Sequence, residues 1–142
     1  MKKTLVLCLV MVLVCIGAVA KSSKNLLPMP QQITVSGGSL TIGKVALETS
    51  VLQPEWQKFI AEAGGEIVPK SSRKIEVKLV SEVKGAKFNQ EEAYRLVVSP
   101  KGVLVEATTE KGVYWALQTL RQLEEKKGRF EACEIVDWPA FK

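Results

Sequence analysis

Two pairs of adjacent carboxylates are the residues whose type is best suited to chemistry in this chain. Sugar hydrolysis commonly uses two acids, and Glu91-Glu92 and Glu124-Glu125 are the available pairs. Their spacing argues against catalysis, because neighbouring side chains diverge by about 100° on a helix and point to opposite faces of a strand. Glu124-Glu125 also continues into two lysines, which is typical of a solvated helix end. We therefore predict no catalytic role for either pair.

The chain also has few residues for histidine or cysteine chemistry. The sequence has no histidine and three cysteines, of which Cys8 and Cys15 lie in a segment that we expect to be removed. Cys133 alone cannot form an internal disulfide, and a catalytic thiol would lack a histidine base. The sequence also has no His/Cys metal cluster, P-loop or dinucleotide-binding glycine pattern. We predict a buried structural thiol at Cys133 and neither a metal nor a cofactor.

Residues 1–20 have the pattern of a secretory signal peptide. A charged start precedes an apolar run, and Ala18-Val19-Ala20 offers the small side chains that signal peptidase requires. The apolar run is too short to span a bilayer comfortably as a permanent anchor. Cys15 leaves a lipoprotein alternative open, in which lipid would be attached to its thiol. We expect cleavage after Ala20, an exported protein that is periplasmic or secreted, and no membrane contact after cleavage.

Length, composition and charge indicate one globular domain. Of the 142 residues, 46% are hydrophobic and 25% are charged, which is a globular composition rather than a disordered one. The formal charge is +5, and removing the two lysines of the signal leaves 18 basic against 15 acidic residues, or +3. Both signs are interspersed along the chain. We interpret the charges as a solvated surface and predict no nucleic-acid partner.

The apolar spacing along the rest of the chain predicts an alternation of strands and helices. Period-2 runs indicate strands, and apolar residues three or four positions apart indicate amphipathic helices. In chain order, the predicted elements are a hairpin over 33–42, a strand over 45–47, a helix over 51–63, a strand over 74–79, a hairpin over 94–107, a helix over 109–127 and a strand over 133–136. Gly37-Gly38 supplies the first turn, Thr49 or Ser50 caps the first helix, and Gly128 ends the second.

These elements define a fold class. Hairpins imply antiparallel pairing, and two helices that each have a single apolar face need one sheet face to cover. We predict a two-layer α+β fold, a mainly antiparallel sheet with two helices on one face. The domain is predicted to span 33–136. It lies between an arm over 21–32, in which Pro28 and Pro30 exclude a helix, and the start of a linker over 137–142.

Four aromatic residues remain as candidates for a sugar-binding face. They are Trp56, Tyr114, Trp115 and Trp138. Trp56 lies on the apolar stripe of its helix, which favours the core. Tyr114 and Trp115 flank the stripe of the second helix, so they indicate a second buried face that is directed at a partner rather than at a ligand.

Four segments of the chain carry a more specific signal. They are LPMPQQI at 27–33 with L-P-x-P, EAYRLVV at 92–98 with E-x-Y-x-L, EKGVYWALQTLRQL at 110–123 with G-x-x-x-A-x-Q-T-L-x-Q-L, and IVDWPAF at 135–141 with I-x-D-x-P-x-F. Together and in this order, they resemble the N-terminal domain that precedes the barrel in bacterial family 20 β-N-acetylhexosaminidases. The resemblance covers residues 26–142, and the third segment is the most specific.

The resemblance implies a domain that acts beside a catalytic barrel. Members of that family hydrolyse terminal β-linked N-acetylglucosamine or N-acetylgalactosamine, using an adjacent Asp-Glu pair on the barrel and the acetamido group of the substrate as nucleophile. No position of this chain matches that pair, so no catalytic or sugar-binding residue is carried over. The resemblance implies that an apolar helix face packs on the barrel, and that amino-sugar glycans are partners only through that barrel.

Lys142 falls where the first barrel strand begins in that family, so we expect a fragment of a longer enzyme. The alternative is a free-standing exported module that binds a partner without catalysis. The two hypotheses differ at Tyr114, Trp115 and the tail over 138–141. A fragment would leave these side chains unpaired, whereas a dedicated module would have a polar surface or a stable partner.

Overall fold

The computed structural model describes Leu26 and residues 28–140. The α-helices and strands are β1 (Gln32–Thr41), β2 (Lys44–Glu48), α1 (Gln53–Glu62), β3 (Glu66–Ile67), β4 (Lys74–Leu79), β5 (Tyr94–Ser99), β6 (Gly102–Ala107), α2 (Glu110–Gln122), β7 (Glu124–Lys126) and β8 (Arg129–Asp137). The predicted signal peptide and its cleavage site lie outside the described residues. Among the described residues, no helix has the length and apolar character needed to cross a bilayer.

One mixed sheet contains all eight strands in the order β1-β8-β5-β6-β4-β2-β3, with β7 paired to β8 beside this path. The half from β1 to β6 is antiparallel, whereas β6, β4, β2 and β3 run parallel to their neighbours. The parallel pairing of β2 with β3 and β4 follows from α1, because a helical connection returns the chain to the same end of the sheet. The sequence prediction covered the antiparallel half and missed these parallel pairs.

Both helices cover the same face of the sheet, and the predicted α+β class is confirmed. Their buried residues belong to one core, into which α1 contributes Trp56, Phe59 and Ile60 and α2 contributes Val113, Ala116, Leu117 and Leu120. The helices also contact each other directly. The Arg121 guanidinium lies 5.7 Å from the Phe59 ring centroid and bonds Glu62 at 2.6 Å.

The predicted hairpin over 33–42 is wrong. Residues 32–41 form one continuous strand, which pairs with β8 from Gln32 opposite Val136 to Thr41 opposite Arg129. Gly37 and Gly38 have positive φ values of 76° and 84°, and they form a bulge in that strand instead of a turn. The nine-residue β8 offers a partner on both sides of the bulge, so the chain does not need to fold back on itself.

The second helix ends five residues earlier than its predicted end at 127. Glu124–Lys126 forms β7, which pairs antiparallel with the start of β8, and Gly128 at φ 76° lies in the turn between them. The interpretation of Glu124-Glu125 as a helix end is therefore wrong. Leu123, the C-cap residue, is buried, so its side chain joins the core while the backbone changes direction.

The two helix starts differ in how they are capped. Thr109 caps α2 as predicted, because its hydroxyl accepts a bond of 3.5 Å from the amide of Gly112. The predicted cap of α1 is wrong, since Leu52 is the N-cap residue at φ 52° and no side chain caps that helix. Thr49 instead bonds the backbone of Val51 at 2.7 and 3.2 Å, which stabilises the turn before the helix.

Candidate interaction surface

Helix α2 presents two aromatic side chains to solvent. Its inward stripe of Val113, Ala116 and Leu117 is buried, and Tyr114 and Trp115 therefore point away from the core. Both rings remain 45% exposed, and they pack edge to face with centroids 5.3 Å apart. An exposed aromatic pair of this size is unusual on a surface that has no partner.

Two adjoining grooves flank this aromatic pair. The first has a volume of about 420 Å³, and it lies between Trp115, the arm with Pro28 and Met29, and the segment that follows β8. The second, of about 410 Å³, runs along Tyr114 and Trp115. Met29 adds another apolar side chain that is 66% exposed. We call Pro28, Met29, Tyr114 and Trp115 the α2–arm surface.

Three carboxylates, Glu92, Glu110 and Asp137, and one lysine, Lys111, line the two grooves. Glu92, which lines both grooves, forms an ion pair of 3.2 Å with Lys111. The second charge in the first groove is Asp137, which is half-buried. Burial raises the pKa of the Asp137 carboxyl, although hydrogen bonds from the amides of Gln31 and Trp138 and from Tyr94 oppose that shift. A mainly apolar surface with few charges suits a protein partner better than an ionic ligand.

Tyr94 connects Asp137 to helix α2. Its hydroxyl lies 2.5 Å from the hydroxyl of Thr119 and 3.4 Å from Asp137 Oδ2. Burial raises the pKa of Tyr94 well above its usual range, so the phenol stays protonated. These hydrogen bonds join β5, β8 and α2 next to the first groove.

The other aromatic candidates lie inside the protein. Trp56 is fully buried in the core, as predicted, and its indole Nε1 has no hydrogen-bond partner among the described residues. Trp138 is 6% exposed and packs against Phe88 with centroids 6.2 Å apart. Trp138 borders the first groove, but the connection between β4 and β5 covers most of its ring, so the side chain is not left unpaired as the fragment hypothesis expects. Phe141 lies outside the described residues.

The structure separates the residues that were considered for chemistry. Glu91 and Glu92 lie in a 3-10 turn before β5, whereas Glu124 and Glu125 lie on β7. Cys133 is buried on β8, and burial raises the pKa of its thiol to about 11, which is the environment of a structural thiol. Within residues 28–140 and Leu26, no group of three or more acidic, histidine or cysteine side chains is placed to hold a metal.

Sequence reasoning missed two residues of this region. Met29 lies on an arm whose exposure no periodic pattern can predict. Asp137 is the only aspartate of the chain, and its position directly before Trp138-Pro139 is the signal that could have marked it. A short carboxylate can bond nearby backbone amides, as Asp137 does here.

Comparison with known proteins relates the chain to one group of enzymes. Residues 23–138 match the sequence profile of glycosyl hydrolase family 20, domain 2. A comparison with curated protein sequences finds no match. A similar fold occurs in the β-N-acetylhexosaminidase of Bacteroides fragilis NCTC 9343, which is 26% identical over 82% of this chain with a TM-score of 0.58.

Two further solved structures share the fold. The GH20 exo β-N-acetylglucosaminidase of Vibrio harveyi is 25% identical over 80% of this chain, with a TM-score of 0.58. The N-acetyl-β-hexosaminidase of Streptomyces plicatus is 19% identical over 79%, with a TM-score of 0.60. The chain spans 25%, 19% and 26% of the length of these three proteins, in the order given.

Proposed function

Because the chain belongs to glycosyl hydrolase family 20, whose domain 2 it matches over residues 23–138, we propose that it is the accessory domain of a β-N-acetylhexosaminidase. The whole enzyme would hydrolyse terminal β-linked N-acetylhexosamine from glycans. Hexosaminidases among the solved proteins of similar fold support this substrate class. The catalytic groups would belong to a barrel, and this domain would contribute none of them.

The α2–arm surface is the observation that carries this proposal. A domain that works alone buries or dilutes large aromatic side chains, whereas Tyr114 and Trp115 are each 45% exposed beside Met29 at 66%. Aromatic and methionine side chains are enriched in protein interfaces, and charged ones are depleted from the interface core. We propose that this surface packs against the catalytic barrel.

Self-association of the purified chain tests the proposal directly. Without a barrel, the α2–arm surface should mediate concentration-dependent association in sedimentation velocity. The double variant Tyr114→Ser, Trp115→Ser should be more monomeric. Leu79→Ser is a matched control, because Leu79 is 49% exposed and is not part of that surface. A wild-type chain that stays monomeric at high concentration would contradict the assignment of this surface.

A second test addresses enzymatic function. The purified chain should not hydrolyse a chromogenic N-acetylglucosaminide, because the carboxylates that it carries are separated or paired with basic side chains. Measurable hydrolysis that survives repurification would overturn the accessory role and would require a catalytic site within this chain.

We also propose that the protein is exported, on the basis of the signal-peptide pattern over residues 1–20. An immunoblot of periplasmic and medium fractions with an antibody against the domain tests this location. A band several times larger than this chain would support an enzyme that carries its own barrel. A band of the size of the domain alone would favour the free-standing binding module and would contradict the accessory role.

A further inference from the structure

The segment before β1 and the segment after β8 lie side by side. Gln32 at the start of β1 lies opposite Val136 near the end of β8. One residue further out, the Gln31 amide donates a hydrogen bond of 3.0 Å to Asp137 Oδ1. The arm and the segment after β8 therefore line the same groove, and one carboxylate connects them.

Asp137 also connects this pair of segments to the core. Its Oδ2 accepts from the Tyr94 hydroxyl at 3.4 Å, and its carboxylate accepts from the Trp138 amide as well. A half-buried carboxylate is stabilised only when its oxygens are bonded, so these contacts restrict its position. The side chain thus joins the arm, the core and the first residue after β8.

The connection between β4 and β5 holds the next two residues. The Phe88 ring packs edge to face on Trp138, with ring centroids 6.2 Å apart. Asn89 Nδ2 donates a hydrogen bond of 2.8 Å to the carbonyl of Pro139. Val83 of the same connection belongs to a small buried cluster with Trp138. The connection therefore packs on the ring and binds the backbone of the segment that leaves the domain.

The side chain of Gln90 gives this connection a fixed shape. Its Oε1 accepts from the Val83 amide at 2.8 Å, and its Nε2 donates to the carbonyls of Val83 at 3.3 Å and Ala86 at 3.1 Å. Thr108, the residue after β6, donates from its hydroxyl to the carbonyl of Gln90 at 2.6 Å. A long loop without such bonds would be mobile, so these contacts make it a rigid support.

We propose that Asp137 and Asn89 act as an exit clamp, which holds residues 138–140 and the arm in one direction relative to the sheet. Both are positioning residues. That a barrel follows this domain rests on the proposed function. In that case, the clamp sets the angle at which the domain meets the barrel. Without a fixed exit segment, the angle between the two domains would be set only when the α2–arm surface contacts the barrel. A fixed exit segment would orient that surface toward the barrel beforehand.

Amide hydrogen exchange of the purified chain, measured by NMR, tests the clamp without any barrel. Asp137→Ala should accelerate exchange at the Gln31 and Trp138 amides by about tenfold or more, the effect expected from losing hydrogen bonds to a charged acceptor. Asp137→Asn keeps one acceptor oxygen but loses the charge, so it should accelerate exchange at the Gln31 amide clearly less than Asp137→Ala does. Glu131→Ala removes a carboxylate from the same strand and should leave both amides unchanged.

Unchanged exchange in Asp137→Ala, or equal acceleration in Asp137→Asn, would overturn the clamp. If Asp137→Ala does not fold, as shown by lost protection in β5 and β6, the variant Asn89→Ala decides. It should raise the backbone mobility of Ala140 in ¹⁵N relaxation, and an unchanged Ala140 would refute the proposal. A failed clamp leaves the sedimentation result for the α2–arm surface standing, so the two proposals fail separately.

Discussion

The close contact beneath the start of α2 gives the sharpest stability prediction. A Cβ added at Gly112 would lie 2.4 Å from the carbonyl oxygen of Ala93 and 2.8 Å from the Cβ of Ala107. One obstacle is backbone and the other is a side chain with no freedom to rotate. We therefore expect Gly112→Ala to push the helix away from β5 and β6, although alanine is the better helix former.

The magnitude follows from two opposing effects. Alanine is favoured over glycine inside a helix by up to about 1 kcal/mol, and less in the first turn where Gly112 lies. Overpacking a core contact typically costs between about 1 and 3 kcal/mol, and a backbone obstacle argues for the upper part of that range. The expected net loss is about 2 kcal/mol of the free energy of unfolding.

Urea unfolding followed by circular dichroism measures this loss, and the slope with denaturant should stay constant. Ala107→Gly in the Gly112→Ala background removes one obstacle and keeps the carbonyl, so it should restore only part of the stability beyond the effect of Ala107→Gly alone. A Gly112→Ala variant as stable as the wild type would refute the close packing of α2 on β5 and β6.

Three further predictions concern side chains with distinct environments. Cys133 should react with a thiol reagent at pH 8 far more slowly in the folded chain than in urea, since burial raises its pKa to about 11; similar rates would contradict its burial. Burial raises the pKa of Asp137, so its protonation favours the folded state, and wild type should gain stability relative to Asp137→Asn as pH falls through that pKa. An opposite slope in urea titrations at several pH values would contradict this sign. Arg95→Met should cost under about 1 kcal/mol in the same unfolding assay, because its ion pairs with Glu106 and Glu134 are partly exposed.

Elements with one buried face were predictable because burial leaves a period in the sequence. β4 alternates buried Ile75 and Val77 with solvent-facing neighbours, and the observed strand over Lys74–Leu79 matches the prediction. The hairpin of β5 and β6 and the apolar stripe of α2 were recovered for the same reason. The family resemblance read from four motifs is confirmed by the profile match.

The errors occur where a distant partner decides the local structure. Gly37-Gly38 satisfies the sequence rule for a hairpin turn, yet β8 pairs with the chain on both sides of it and makes it a bulge. Residues 124–126 continue a charged helical pattern, yet their pairing with Arg129 and Phe130 makes them a strand. Neither outcome has a signature within the segment, because the stabilising hydrogen bonds come from β8.

The sequence predicted the helical part of the candidate surface but not the surroundings of Trp138, and the reason is geometrical. Helical periodicity places Tyr114 and Trp115 outside the buried stripe of α2, and this prediction holds. Trp138 follows a strand, and the direction of its ring depends on the connection between β4 and β5. That connection has no period, so only the structure reveals that Phe88 covers Trp138.

The motif residues that carry the family resemblance have packing and fastening roles in this domain. Gly112 permits the close approach of α2, whereas Ala116 and Leu120 are buried in the core. Asp137 bonds the arm, and Pro139 accepts a bond from the β4–β5 connection. Gln31, Glu92 and Asp137, from three of the motifs, line the first groove, where Asp137 bonds the Gln31 amide and Glu92 pairs with Lys111. The signature thus fixes a helix that presents aromatic rings, with the segment after β8 beside them, and this arrangement supports the docking role that we propose.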